Sequence, residues 1–263
     1  MLRIILPMSD EVKRRAQAQF GAHAQSYVES RLHARGASLA RLVELTDPQP
    51  NWRVLDVATG GGHTALAFAP HVARVVASDL THPILLAARE HASAQGAHNV
   101  TFVRNDAGAL PFASGTFDAV TCRLAAHHFP DVAGFVREGA RVVGPGGWVA
   151  VVDNVVPGEK EIAEYVNTFD ALRDPSHAWA YSPDDWQAFF VAAGLEVTHS
   201  EVVRKPVDLD EWAARTSVAP DDLIRLRVLL LRAPDAVLDF LNPRQVGSRV
   251  MFDLSEALIV ARA

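Results

Sequence analysis

The chain has 263 residues, 49% of them hydrophobic and 21% charged, which suits one sizeable α/β domain with insertions and excludes a disordered or fibrous protein. Lysine and arginine number 25 against 31 aspartates and glutamates, a net charge of −6; this argues against broad binding to nucleic acid and for a small-molecule ligand. The single cysteine, Cys122, excludes an internal disulfide framework and fits a reducing cytoplasm, and no apolar run approaches the roughly 18 residues of a membrane span, so no stable membrane association is expected.

The segment Leu2–Leu6 is too short for a signal-peptide core, and Met8-Ser9-Asp10 reads as a natural start, with residues 1–7 an extension from start-site choice. Residues 10–46 carry a helical pattern in which Phe20, Ala24, Tyr27, Leu32, Leu39, Leu42 and Val43 recur near helical spacing, with a break at Gly36. Asp47-Pro48-Gln49-Pro50 stops it. Hence 1–46 is read as a helical segment able to fold over the ligand edge of a domain covering 47–263.

That domain is organised around 53–64, a buried strand, a turn of three glycines (Gly60, Gly61, Gly62) and a helix start. Glycines let the backbone approach a ligand, and the helix start offers unpaired N–H groups. Gly60-x-Gly62-x-x-Ala65 also satisfies a dinucleotide fingerprint, so the turn alone does not separate a nicotinamide cofactor from other adenosine-bearing ligands.

Strands are predicted at 72–78, 100–104, 117–123 and 148–153, alternating with helices at 64–70, 83–95 and 131–143, the rhythm of right-handed crossovers and a parallel sheet. Beyond Asn154 the rhythm changes to helices at 158–174 and 183–193, a strand at 195–203, a helical stretch at 208–241 and a last strand at 249–261, which need not be parallel. The stretches 158–192 and 207–245 are candidate substrate-covering insertions.

Ligands of open parallel sheets bind outside the carboxyl ends of the strands. Here those ends carry Asp56, Asp79, Asp106 and Arg123. Asp79 stands at the distance from Gly60 at which a carboxylate accepts from both ribose hydroxyls, and Leu80 offers an apolar face for adenine. Asp106 can accept from the adenine amino group with the Ala107 N–H available to a ring nitrogen; the alternative for each carboxylate is a helix cap.

Val54-Leu55-Asp56-Val57-Ala58-Thr59-Gly60-Gly61-Gly62, Ala77-Ser78-Asp79-Leu80, Asn105-Asp106-Ala107 with Leu110-Pro111-Phe112, Phe117-Asp118-Ala119-Val120-Thr121-Cys122-Arg123, and Arg141-Val142-Val143-Gly144-Pro145-Gly146-Gly147 together resemble the successive motifs of class I S-adenosylmethionine-dependent methyltransferases. The chain is similar to their small-molecule branch, which includes the ubiquinone/menaquinone-biosynthesis type. Ala125-Ala126-His127-His128-Phe129, Leu172-Arg173-Asp174-Pro175-Ser176-His177 and the Phe20…Tyr27 pattern resemble one bacterial group within it.

The resemblance implies a Rossmann-like, seven-stranded, mostly parallel sheet with an antiparallel last strand, and S-adenosylmethionine as cofactor with S-adenosylhomocysteine as product. It implies that Asp56, Thr59, Gly60 and Gly62 form the turn by the methionine part and that Asp79 and Leu80 serve the ribose and adenine. Asp106 and Ala107 would hold the base, Arg123 the floor beneath the sulfonium, and Tyr27 would close over the cofactor. Thr59 departs from the family, many members having Gly or Cys there.

Methyl transfer from a sulfonium needs orientation and exclusion of water more than a universal catalytic residue. His127 and His128 are the candidates to position or deprotonate the acceptor, against simple packing; neighbouring histidines without a Cys or carboxylate cluster argue against a metal. Asp153, Arg173 and His177 are further candidates for the acceptor pocket, Arg173 against an ion pair with Asp170 or Asp174. Trp179, Tyr181, Trp186 and Phe189 suit a cover or plain packing, and the run around Leu226–Leu231 suits core or a dimer face. The expected function is methylation of a small-molecule acceptor in the cytoplasm, a homodimer being left open; the alternatives are a nicotinamide-dependent oxidoreductase and a catalytically silent cofactor-binding protein.

Overall fold

The computed structural model describes residues 9–29 and 36–263. Residues 1–7 and Leu32 lie outside it, as do the side chains of Ser26, Tyr27 and Glu29. The N-terminal part supplies α1 (Ser9–Ala22), α2 (Ala24–Glu29) and α3 (Ala37–Thr46), the last starting after Gly36.

The sheet begins with β1 (Arg53–Val57), α4 (His63–Phe68), β2 (Arg74–Asp79), α5 (His82–Ala94) and β3 (Val100–Arg104). It then returns through β4 (Phe117–Arg123), α6 (Val132–Val142) and β5 (Val143–Asn154). The strands run in the order β3-β2-β1-β4-β5, all parallel. The order reverses between β1 and β4, which puts a crevice at their carboxyl ends. β4 is buried on both faces except at Asp118, as its near-continuous apolar run requires.

After β5 come α7 (Lys160–Arg173), α8 (Pro183–Ala192) and β6 (Glu196–Asp208), then α9 (Leu209–Ala214), α10 (Pro220–Leu231), α11 (Asp235–Leu241), β7 (Arg244–Val246) and β8 (Arg249–Arg262). β8 inserts between β5 and β6 and is antiparallel to both, which is the expected antiparallel last strand. Several details differ from the sequence reading: β5 begins at Val143 and not at 148, and β6 runs on to Asp208, past 203. The stretch 208–241 is three helices, because Pro220 and Pro234 each stand where a new helix starts and Ser217 adopts a left-handed backbone. A three-residue eighth strand, β7, pairs with β8 across a tight turn at Gly247 (φ +63°); it has too few apolar residues to be read from periodicity.

Among the described residues three apolar clusters hold these layers. Leu42 and Phe68 from α3 and α4 pack with Val54, Val75 and Val260 on one face of the sheet. Phe135 and Val136 of α6 and Trp186 and Phe190 of α8 pack with Leu55, Val120 and Ile259. In the third cluster Phe169 of α7 stacks on Trp212 of α9, their ring centroids 5.2 Å apart, over Phe252 of β8, with Leu226 and Leu230 of α10. Trp186 is therefore core, and Leu226 and Leu230 are buried while Leu231 is exposed. Cys122 is fully buried in β4. Among the described residues no helix is long and apolar enough to cross a membrane.

Candidate active site

The crevice at the strand ends opens into a cavity of about 320 Å³. Its floor is the turn after β1. Val57 ends the strand, Ala58 takes a left-handed backbone (φ +53°), Gly60 and Gly62 follow at φ +52° and +82°, and Gly62 precedes α4. A Cβ on Gly62 would also press on Ala88 of α5 at 3.5 Å, so glycine there serves both conformation and packing. Leu124, one residue past β4, is the second left-handed non-glycine on the cavity wall (φ +55°). A left-handed backbone at a residue with a side chain costs free energy and persists only where the surrounding structure holds it.

Two carboxylates fix the turn from opposite sides. Asp56 is 1% exposed. Its Oδ2 accepts from the Thr59 hydroxyl at 2.6 Å and the Ala65 N–H at 3.1 Å, and its Oδ1 from the Thr121 hydroxyl at 3.1 Å. Asp79 borders the cavity, with Oδ2 accepting from the Gly60 N–H at 3.1 Å and Oδ1 from the Thr81 N–H at 2.8 Å. Burial pushes both carboxyls up to about 6, against their hydrogen bonds. Arg123, its Nε donating to Thr64 Oγ1 at 3.2 Å, also borders the cavity; burial lowers its pKa, opposed by Asp56 and Glu256.

The structure brings Thr59, Gly60, Asp79, Leu80, Asp106, Ala107, Arg123 and His128 onto one cavity wall. Asp56, Gly62 and His127 lie behind it. The Asp56 carboxylate is turned into the sheet by its three donors, and Gly62 faces Ala88. The Tyr27 side chain lies outside the described residues. Helix α1 supplies wall residues that the sequence did not single out as contacts: Ser9, Lys13, Ala16 and Phe20. Lys13 Nζ lies 2.5 Å from Asp106 Oδ2, and Gln17 donates to the Leu80 carbonyl at 3.3 Å. Asn105 and His63 are also on the wall; Asn105 follows the end of β3 and His63 opens α4 after the glycine turn, and that adjacency was the one signal for them.

At the far end the wall is Phe20, Leu124, Ala125, His128, Phe129, Pro130 and Asp131. The histidines stand on a short 3₁₀ turn, Ala126–His128. His127 is pinned by Asp153, whose Oδ2 accepts its backbone N–H at 2.7 Å and whose Oδ1 lies 2.5 Å from its Nδ1. Burial opposes a charge on His127, but Asp153 in contact, with Asp170 and Asp174 nearby, raises its pKa. The His128 ring lies 4.1 Å from that of His127 and edge-on to Phe20 at 4.8 Å. Burial first, and then the neighbouring His127, push His128 down to about 4, so it is neutral at pH 7.

Asp153, Arg173 and His177 do not reach the cavity. Arg173 donates to the Trp212 carbonyl and faces Asp174 at 3.5 Å, the ion-pair alternative. His177 is bonded to Asn167 Oδ1 at 2.8 Å, and burial, reinforced by His127, pushes its pKa well down. Tyr181 and Phe189 pack edge-on against each other, centroids 5.0 Å apart, beside the core. Among the described residues no group of three or more His, Cys, Asp or Glu could hold a metal ion.

A sequence profile described as "Methyltransferase domain" matches residues 55–151. Over 245 residues the chain is 35% identical to the uncharacterized methyltransferase YcgJ of Bacillus subtilis, spanning 92% of this chain and 97% of that one. A crystal structure of YcgJ from that species aligns at a TM-score of 0.82, with 35% identity over 86% of this chain and 97% of that one. A ubiquinone/menaquinone biosynthesis C-methyltransferase, UbiE, of Cereibacter sphaeroides is 33% identical over 194 residues, 70% of this chain and 72% of that one. With this relationship running almost the full length of YcgJ, the chain belongs to the class I S-adenosylmethionine-dependent methyltransferases and is an enzyme of that family.

Proposed function

We propose that the protein methylates a small-molecule acceptor by in-line displacement, with the cofactor along β1–β3 and the acceptor at the His128 end. The observation that carries this is one continuous cavity, covered by α1, whose two ends differ: hydrogen-bonding groups at Gly60, Asp79 and Asp106, and apolar side chains around His128. A covered cavity of this size suits a metabolite.

The residues fit the cofactor. Asp79 presents an acceptor for a ribose hydroxyl pair. The Asn105 Nδ2 is buried on the wall without a partner among the described residues, a donor suited to a ring nitrogen of the base. Asp106 and the Ala107 N–H would complete the base contacts, while Thr59, Gly60 and Arg123 would face the amino-acid end. Bound there, S-adenosylmethionine would supply a methyl group already activated by its sulfonium. The chain's own part is to orient the acceptor, to exclude water with α1, and to accept a hydrogen bond at His128.

Calorimetric titration with S-adenosylhomocysteine, using wild type, Asp79→Ala and an NADH control, tests the cofactor placement. A loss of about 1–3 kcal/mol in the variant is expected when ribose donors lose a buried acceptor. Binding of NADH alone would reverse the reading. A supporting acceptor screen would show S-adenosylhomocysteine formed from a small molecule and lost in His128→Ala.

A further inference from the structure

Behind His128 lies a hydrogen-bonded chain that the reaction described so far does not use. Helix α7 ends at Arg173, and Asp174-Pro175-Ser176 folds back on itself. Asp174 Oδ1 accepts from the Ser176 N–H at 2.9 Å and the Ser176 hydroxyl at 2.5 Å, while Oδ2 faces Arg173 at 3.5 Å. Asp174 is 3% exposed and Ser176 1%. An aspartate with two donors on one oxygen and a guanidinium beside the other is held as the carboxylate.

That settles where the protons are. A carboxylate cannot donate, so the one hydroxyl proton of Ser176 lies between Ser176 and Asp174. The Ser176 Oγ, 3.2 Å from His128 Nδ1, therefore turns a lone pair to it, and the Ser176 carbonyl, 3.0 Å from the same nitrogen, can only accept. Both neighbours of Nδ1 are acceptors. In the neutral ring the proton sits on Nδ1, and Nε2 is bare. His128 borders the cavity, and Nε2 has no hydrogen-bond partner among the described residues.

Resting on the acceptor placement proposed above, we infer that Asp174 and Ser176 are positioning residues that lock His128 with a bare Nε2 toward the acceptor, and that the acceptor is protic. It brings a hydroxyl, amine or thiol on an apolar body that packs against Phe20 and Phe129. As the bond from that heteroatom to the methyl carbon forms and the sulfur–carbon bond breaks, the heteroatom's proton passes to Nε2. The electron pair of the broken bond stays on the neutral thioether, and the proton leaves His128 for solvent on product release. The imidazolium formed meanwhile is bonded through Ser176 to the Asp174 carboxylate.

The test uses full-length protein labelled with ¹⁵N-histidine and saturated with S-adenosylhomocysteine at pH 7.5, read by long-range ¹H–¹⁵N correlation, the His128 signals being assigned by their absence in His128→Gln. Wild type should show the Nδ1–H tautomer. Asp174→Ala frees the Ser176 hydroxyl to donate to Nδ1 and, in competition with the carbonyl that still accepts, should raise the Nε2–H fraction above that of wild type, while Ser176→Ala, which leaves the carbonyl as the one neighbour of Nδ1, should retain Nδ1–H; an unchanged tautomer in Asp174→Ala overturns the part given to Asp174. An Nε2–H or protonated His128 in wild type overturns the wiring. Phenol should then shift the His128 Nε2 signal and toluene should not; equal shifts, or none with phenol, overturn the protic acceptor. Failure of S-adenosylhomocysteine to bind would instead count against the functional reading, and it is measured separately in the same samples.

Discussion

The two ends of the cavity are held in different ways. On the β1–β3 side the contacts come from strand ends and the turn beside them: Gly60 donates to Asp79, 19 residues on, and Ala65 to Asp56, nine back. On the β4–β5 side they come from side chains that meet across long stretches, His127 with Asp153 over 26 residues and His128 with Ser176 over 48. The first end is set by strand ends that the sheet itself lays side by side, Asp56 of β1 meeting Thr121 of β4 across 65 residues, which suits a ligand common to a whole family. The second depends on where the segment after β5 is led, so it can be rebuilt around a new acceptor while the sheet stays as it is.

The contrast puts the largest effect at Asp56. Asp56→Ala strands the Thr59 and Thr121 hydroxyls and the Ala65 N–H in a buried site, at about 1–3 kcal/mol for each group. We expect a loss of several kcal/mol in urea unfolding together with weaker S-adenosylhomocysteine binding, although Asp56 lies behind the wall. Normal stability would break the claim that Asp56 holds the turn.

Next in size is the pH response of cofactor binding. The Asp79 carboxyl is pushed up to about 6 in the free protein, and ribose donors favour its ionised form. Affinity should be level above pH 7 and fall by up to about tenfold per unit as pH drops below 6. Asp79→Asn should bind more weakly at pH 7 and show a flatter profile.

The acceptor side carries the opposite kind of group. His177 is held neutral, its folded pKa well below the ordinary value. Its contribution to stability is therefore full above the unfolded value near 6.5 and is lost as pH falls toward the folded one. Asp56, Asp79 and Asp170, raised to about 6, act in the other direction over the same window, so the difference between proteins is the informative quantity. From pH 7 to pH 5, His177→Gln should lose less melting temperature than wild type.

The smallest effect expected is at Lys13. Its pair with Asp106 is about three-tenths exposed on each side, and such pairs contribute roughly 0–1 kcal/mol. Lys13→Ala should leave stability nearly unchanged and S-adenosylhomocysteine affinity unchanged or slightly tighter, since Asp106 no longer has a competing partner. A large loss would make α1 a binding element and not only a cover.

The same contrast decides what could be read in advance. Strands, glycine turn and acidic strand ends repeat a short local pattern, so the succession of β1 to β5 and their parallel direction were legible, as was the set of strand-end residues that borders the cavity. That Asp56 faces inward was not, because alternation along a strand buried on both faces does not say which carboxylate meets donors. The roles separating His127 from His128 were equally hidden, since they follow from Asp153 and Ser176, residues brought in by the path of β5 and of the segment after α7. Ser9 and Lys13 escaped notice because they stand on an ordinary helical face, and only its docking beside α5 puts them on the cavity.

The place of β8 in the sheet also bears on how the protein is made. β6 pairs only with β8 among the described strands, and β8 is synthesised after it. At about 5–20 residues per second the ribosome takes roughly two to eight seconds to pass from Asp208 to Arg249. Through that interval β1 to β5 can already pair, while the outer edge of β5, with Val149, Val151 and Val152, has no neighbour and β6 has nothing to join. The nascent chain thus carries an open apolar edge that the last strand closes, and the period just before β8 emerges is when a chaperone would matter most.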